Sequence, residues 1–230
     1  MNTSSIPSLE QMLDKLGPLT REKVVIEGQE FFLEKPSNSD KLFVDPAVRL
    51  AHAQDQYLPY WADLWPAARM LSKVLVHETL PMGGSALEVG CGLGLAGIVA
   101  LSRGLKVVFT DYDPCALHFA AHNARLNGFD DFQTLLVDWR HPPAGLQVPL
   151  VLGSDLVYEL RIVPPLVAFL DKILQPGGLC LLADQDRIPG IIFREAIEAA
   201  GLRYTTKMVR AGEPGGRRLK GTLYRIIKPA

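Results

Sequence analysis

The chain has few cysteines, no long apolar run and almost no net charge, and each shortage removes a class of protein. Cys91, Cys115 and Cys180 are odd in number and far apart, so no disulfide framework is implied. No apolar run approaches the ~20 residues that a membrane helix needs. Between Met1 and Leu16 there is no basic residue before Lys15 and no apolar core, and acids stand at Glu10 and Asp14 ahead of Arg21. Neither a secretory signal nor a mitochondrial presequence fits that pattern, so the expected location is cytoplasmic. Cys115, His118 and His122 share one helix face by spacing, but no fourth ligand lies nearby and no metal is expected.

The net charge of −1 conceals an asymmetry. Residues 201–230 hold eight Lys/Arg and one acid, Glu213, which leaves −8 on the rest. Arg217-Arg218-Leu-Lys220 lies in a Gly/Pro-rich loop, read here as a solvated hairpin connection that has the charge to meet an acidic partner. With 230 residues, 48% hydrophobic and 21% charged, the composition is that of one globular domain with at most a small appendage.

The most informative stretch is Ser85-Ala-Leu-Glu-Val-Gly-Cys-Gly-Leu-Gly-Leu-Ala-Gly97. An apolar strand ends in an acid, a glycine series follows, and the chain turns helical. Such a turn lets backbone approach a nucleotide-like cofactor at a helix N-terminus. Gly92 to Gly97 satisfies the dinucleotide pattern G-x-G-x-x-G, with Asp111 as a candidate ribose ligand, so NAD is one reading. Three details favour S-adenosyl-L-methionine. Glu88 sits inside the strand end, the glycines begin at Gly90 to give E-x-G-x-G-x-G, and Val107-Val-Phe-Thr-Asp-Tyr-Asp-Pro114 closes a strand on Asp111.

From Ser85 onward, strand-length apolar runs at 85–89, 106–111, 133–137, 148–155 and 179–183 alternate with helical patterns. Leu117, Ala120, Ala121 and Ala124 mark one helix between Pro114 and Gly128. Leu166, Phe169, Leu170 and Ile173 mark another, ended by Gln175-Pro-Gly-Gly178. This alternation predicts an α/β fold, a Rossmann-like doubly wound and mostly parallel sheet. Two further runs, 203–210 and 222–228, predict a C-terminal antiparallel hairpin that makes seven strands. Residues 23–34 predict a small N-terminal β-hairpin extension.

Leu58-Pro-Tyr-Trp-Ala-Asp-Leu-Trp-Pro66 packs Tyr60, Trp61 and Trp65 in front of a helix opening at Pro66. With this segment the chain resembles the seven-stranded protein methyltransferases of the methyltransferase-16 family over roughly residues 22–228. The resemblance rests on the N-terminal hairpin, Trp65-Pro66, Leu87-Glu-Val-Gly-Cys-Gly-Leu-Gly94, Val137-Asp-Trp139 and Ser154-Asp-Leu-Val-Tyr158. Pro59-Tyr-Trp-Ala62 is similar to the electron-transfer flavoprotein β-subunit lysine methyltransferases. The Asp-Trp and Asp-x-x-Tyr motifs are similar to the chaperone-methylating branch. The division implied is an extension over 1–57 and a class I methyltransferase domain over 58–230.

The resemblance implies that Gly90, Gly92 and Gly94 pass their backbone close to the cofactor, with Glu88 holding the loop and nearby water. It further implies that Asp111 binds the ribose, Asp138 and Trp139 bracket the adenine, Trp65 flanks the methionine end, and Ser154 lines the cleft. Asp155 and Tyr158 are the candidate catalytic residues. Asp155 lines the cleft and holds the amine or the cofactor, with capping of the loop after the fourth strand as its alternative. Tyr158 faces the incoming amine, while Tyr60 and Trp61 guide the substrate. The implied activity is N-methylation of a protein lysine, with a small-molecule or nucleic-acid acceptor as the alternative. A non-catalytic cofactor-binding protein and an NAD-dependent oxidoreductase complete the alternatives. The stretch after the fourth strand lacks the paired prolines of base-methylating enzymes, which points away from nucleic acid; a small amine stays open.

Overall fold

A computed structural model describes residues 6–80, 83–212 and 218–230. The expectations placed on Glu213 and Arg217 lie outside those residues. In chain order the elements are α1 (Leu9–Leu13), β1 (Leu19–Ile26), β2 (Gln29–Pro36), α2 (Asp40–Phe43), α3 (Pro46–Asp55) and α4 (Pro66–His77). There follow β3 (Ser85–Val89), α5 (Leu95–Ser102), β4 (Lys106–Asp111), α6 (Pro114–Leu126), β5 (Phe132–Leu136) and β6 (Val148–Ser154). The remainder is α7 (Val163–Ile173), β7 (Leu174–Asp184), α8 (Pro189–Ala199), β8 (Arg203–Ala211) and β9 (Leu219–Ile227).

The seven-stranded sheet runs β5-β4-β3-β6-β7-β9-β8, and β9 alone runs opposite to the other six strands. The strand order reverses between β3 and β6, which leaves a crevice at their carboxyl ends. Alternation along the strands sorts side chains between two apolar layers. Ala86, Phe109, Leu152 and Leu181 join a cluster with α4, α5 and α6, whereas Leu87, Val89, Val151 and Leu182 join one with α7 and α8. By the same alternation Glu88 faces the α5 side. Among the described residues no helix is long and apolar enough to cross a membrane.

Two details differ from the sequence reading. Helix α7 ends at Ile173, just before Gln175-Pro-Gly-Gly178, as expected. That segment already lies within β7, however, which begins at Leu174 and not at Leu179, and the register to β6 shifts there between Val148 and Leu150. Gly177 at φ 76° supplies the left-handed residue that such an irregularity requires. On α6 Ala120 and Ala124 are buried as expected, but the rest of the buried stripe is Cys115, Ala116, Phe119 and Asn123 in place of Leu117 and Ala121. The reason is Asn123, a polar side chain drawn into the core by hydrogen bonds that the apolar pattern cannot announce.

Asn123 and Asn127, one helical turn apart, fasten the N-terminal hairpin to the core. The Asn127 amide accepts from the Phe32 N–H at 2.9 Å and donates to the Phe32 carbonyl at 2.7 Å. Asn123 does the same for Glu34, at 2.7 and 3.2 Å, and donates as well to the Leu93 carbonyl at 3.1 Å. Two side-chain amides thus stand in for a neighbouring strand at alternate residues of β2, satisfying an edge that would otherwise bury unpaired groups. Asn123→Ala is expected to destabilise the fold by about 2–4 kcal/mol, because it strands two backbone groups of Glu34 and the Leu93 carbonyl. Chemical denaturation measures this, and an exposed control such as Asn38→Ala should shift stability by less than about 0.5 kcal/mol.

Candidate active site

The crevice at the carboxyl ends of β3, β4 and β6 opens into a cavity of about 540 Å³, within the range of small-molecule sites. Its floor is the turn from β3 into α5. Gly90, Gly92 and Gly94 all sit at positive φ (60°, 51° and 84°), a conformation that side chains resist. A Cβ on Gly90 would lie 2.6 Å from Leu156 Cδ2. No side chain caps α5, and its first residue, Leu95, borders the cavity, so the helix start is open to a ligand.

Two buried carboxylates hold this turn. Glu88 accepts the Gly97 N–H at 3.0 Å, and burial pushes its pKa up to about 8 despite that hydrogen bond. It does not border the cavity. The expected role of holding the loop therefore takes the form of a brace to the first turn of α5. Asp111 ends β4 and does border the cavity. Its oxygens accept from Gly92 N–H at 3.1 Å and Asp113 N–H at 3.0 Å, and burial, with Asp113 close by, raises its pKa to about 7.

The far wall is formed by Asp138 and Trp139 after β5. Asp138 is engaged by Arg140, whose Nε lies 2.9 Å from both carboxylate oxygens. The same guanidinium grips Asp55 through two bonds of 2.7 Å, and Arg140 holds the Asp55 carboxyl below its usual range. Arg161 donates to the Gln56 carbonyl at 3.4 Å. Residues 55–65 thus form a roof tied at its leading end. A third tie is buried: Tyr57 donates to Asp113 at 2.5 Å, while Asp113 caps α6 through the Cys115 N–H. None of Asp55, Tyr57, Arg140 or Arg161 was singled out from the sequence. Only Asp113 left a signal, as an acid directly before a helix-opening proline.

The mouth is aromatic. The Trp65 indole N–H donates to the Tyr60 carbonyl at 2.7 Å, and the Tyr60 ring meets Trp65 and Tyr158 edge-on at 5.7 and 5.3 Å. Trp61 borders the cavity too, yet it is only 6% exposed and its ring stacks on Phe119 at 5.3 Å. Tyr60, not Trp61, faces Tyr158. Ser154 borders the cavity at the end of β6.

Asp155 lies beside it at φ 53°, and three donors reach its carboxylate. One oxygen accepts from the Ala67 N–H at 2.8 Å, at the start of α4. The other accepts from Gln185 at 3.0 Å and Arg187 at 2.8 Å. Asp155 borders the cavity and at the same time anchors the Trp65-Pro66 helix start, and Arg187, for which the sequence carries no signal, is the cation at this wall.

The residues present fit S-adenosylmethionine. A left-handed glycine cradle, an uncapped helix start, an acid at the end of β4 and an aromatic wall supply respectively close backbone, amide donors, a diol acceptor and a stacking surface. Cys115 is buried, the His118 ring meets Phe119 edge-on, and His122 pairs with Glu34, so these three build no joint site. Among the described residues no cluster of ligating side chains is arranged for a metal.

Because the folded Glu88 carboxyl takes up a proton that the unfolded chain releases near pH 4.5, its contribution to stability falls as pH rises toward about 8. Glu88→Gln should flatten the decline between those limits by up to about 1.4 kcal/mol per pH unit. Denaturant titrations at several pH values across that window read the slope; an unchanged slope would remove Glu88 as its source.

A family model described as lysine methyltransferase, Methyltransf_16, matches residues 48–199. The electron transfer flavoprotein beta subunit lysine methyltransferase of Mus musculus is 31% identical over 126 residues, 54% of this chain and 49% of that protein. The histone-arginine methyltransferase METTL23 of Rattus norvegicus is 30% identical over 123 residues, 50% of this chain and 55% of that protein. The chain thus spans about half the length of the curated relatives it matches. Among solved structures, the ribosomal protein L11 methylase of Lactobacillus delbrueckii subsp. bulgaricus superposes with a TM-score of 0.58 at 20% identity, over 70% of this chain and 78% of that one. That likeness is one of fold. With the cradle, the acid at the end of β4 and a family match over two thirds of the sequence, the chain belongs to the Methyltransf_16 family of S-adenosylmethionine-dependent methyltransferases.

Proposed function

We propose that the chain N-methylates a protein side chain, with lysine as the acceptor. The observation that carries this reading is the pairing, in one cavity, of the Gly90–Gly94 cradle with an aromatic mouth of Tyr60, Trp65 and Tyr158. The mouse relative named for lysine methylation supports the acceptor, whereas the rat relative named for histone arginine makes the modified residue the quantity to measure.

When bound, the cofactor supplies a methyl group on a cationic sulfur. The chain's own residues do the rest. Gly90, Gly92 and Gly94 would admit it closely, Asp111 would accept from the ribose hydroxyls, and Asp138 and Trp139 would hold the base. Trp65 and Ser154 would hold the methionine end. Tyr60 and Tyr158 offer π-faces to an incoming ammonium. A lysine starts protonated, with an ordinary pKa of ~10.4, and the apolar mouth lowers that value by stripping water from the cation. The Nζ proton leaves to solvent at the mouth, and the neutral amine is then held in line, an alignment that contributes up to about 7–11 kcal/mol in intramolecular analogues.

Burial raises the Tyr158 phenol above its usual pKa, so Tyr158 acts as a neutral hydrogen-bonding ring and not as a base. Asp155, which accepts from Ala67, Gln185 and Arg187, positions the mouth through α4 and Arg187. The three buried free thiols support a reducing cytoplasm as the working compartment.

Calorimetric titration with S-adenosylhomocysteine and NAD in parallel tests the site, and micromolar binding of the first with none of the second is expected. Asp111→Ala should weaken S-adenosylhomocysteine binding by about 10- to 100-fold, the loss of a charge-assisted contact. Labelled methyl transfer into fractionated extract, with the modified residue mapped by mass spectrometry, tests the acceptor. Label found only in small molecules or RNA would overturn the protein-lysine reading.

A further inference from the structure

The C-terminal hairpin is not used by the site described above, yet it reaches the same edge of the sheet. Because β8 runs antiparallel to β9, and β9 antiparallel to β7, the end of β8 and the start of β9 lie at the carboxyl edge with the cavity. There Arg210 stands directly opposite Lys220 in the ladder, and both are exposed. Like charges at directly opposed positions destabilise a strand pair. Exposed Arg218 adds a third cation, and among the described residues none of the three forms an ion pair.

An apolar surface adjoins them. Met208, opposite Thr222, is 62% exposed, and Ile188, at the start of α8, is 81% exposed. The segment 186–190 is fastened to β9: Thr222 Oγ1 donates to Asp186 at 2.5 Å, and a Cβ on Gly190 would sit 3.2 Å from the Tyr224 hydroxyl. The same turn carries Arg187 into the cavity wall. Met208, Arg210 and Lys220 thus form an exposed apolar and cationic strip on one face of the hairpin, and Ile188 lies on the turn fastened beside it, with the exposed Asp186 between them.

We infer that this strip docks an acidic segment of the protein substrate that also presents apolar side chains, while the acceptor residue enters the mouth. The inference rests on the protein-methylating reading above. The strip has the mixed make-up of an interaction surface, with Met and Arg where interfaces favour them, and its sign is opposite to the −8 of residues 1–200. An acidic partner is steered to this end and away from the rest of the body. The exposed isoleucine and methionine fit a protein and not a phosphate backbone, and no exposed aromatic of the strip offers a base a stacking platform.

The test is a titration of isotope-labelled protein, followed by NMR, with a short synthetic peptide alternating Glu and Leu and, separately, with oligouridylate. The peptide is expected to shift the amides of Ile188, Met208, Arg210 and Lys220, with affinity falling as salt rises. Arg210→Glu/Lys220→Glu should bind it at least about tenfold more weakly while binding S-adenosylhomocysteine as the wild type does. If that double variant does not fold, Arg210→Gln/Lys220→Gln and Met208→Ser take its place. Unmoved amides, a variant that binds the peptide equally well, or oligouridylate binding the strip more tightly than the peptide would each overturn the inference. Loss of S-adenosylhomocysteine binding by the wild type would instead strike the methyltransferase reading, and the peptide titration would still decide the docking surface.

Discussion

Two carboxylates buried beneath the β3–α5 turn set the terms for the rest of the molecule. Glu88 braces Gly97 and Asp111 braces Gly92, so a loop whose glycines all sit in the left-handed region is held at its middle and through the helix turn that follows it. Removing water from acids is costly, and the raised pKa values of both groups record that cost. What the fold gains is a rigid backbone cradle at the centre of the sheet, at the point where strand order reverses. The packing at Gly97 shows how tightly it is built: a Cβ there would lie 2.3 Å from the Phe109 ring and 2.5 Å from Glu88 Oε2.

The cradle makes a floor, and a cavity also needs a roof. Residues 55–65 supply it through contacts that bridge large separations along the chain. Tyr57 reaches Asp113, Asp55 reaches Arg140, and Asp155 reaches the Ala67 N–H just beyond Trp65. Each tie joins the roof to the end of a different strand or to the helix that follows it. The aromatic mouth is therefore placed by the polar groups around it. Its own rings add edge-to-face contacts that fix Tyr60 between Trp65 and Tyr158.

Much of the fold was legible because its signals are local. Ser85–Val89 and Lys106–Asp111 appear in the structure with the limits read from the sequence, since apolar runs of strand length bounded by glycine or proline have few other outcomes. The helix starts at Pro66 and Pro114 followed from the geometry proline brings to a first turn. The reading failed where a local signal had a second use. Gln175-Pro-Gly-Gly178 does follow the end of α7, yet it is also an irregularity inside β7, so the strand starts earlier than its apolar run. Asn123 breaks an apolar stripe because it serves as a strand partner for β2. Trp61 and Trp65 look equivalent along the chain, but one stacks on Phe119 in the core and the other, 37% exposed, stands at the mouth.

The sequence by itself determined the alternation of strands and helices, the glycine cradle and the acid that closes β4, because these depend on backbone conformation and on neighbours a few residues away. Only the tertiary structure decided what each charged side chain does. Asp155 carries the right residue type at the right distance from Tyr158, yet its oxygens are taken by Ala67, Gln185 and Arg187. Asp138 shares Arg140 with Asp55, a partner that no spacing rule predicts. A carboxylate's role follows from which donors reach it first and from how much water is left around it, and both are properties of the packed chain.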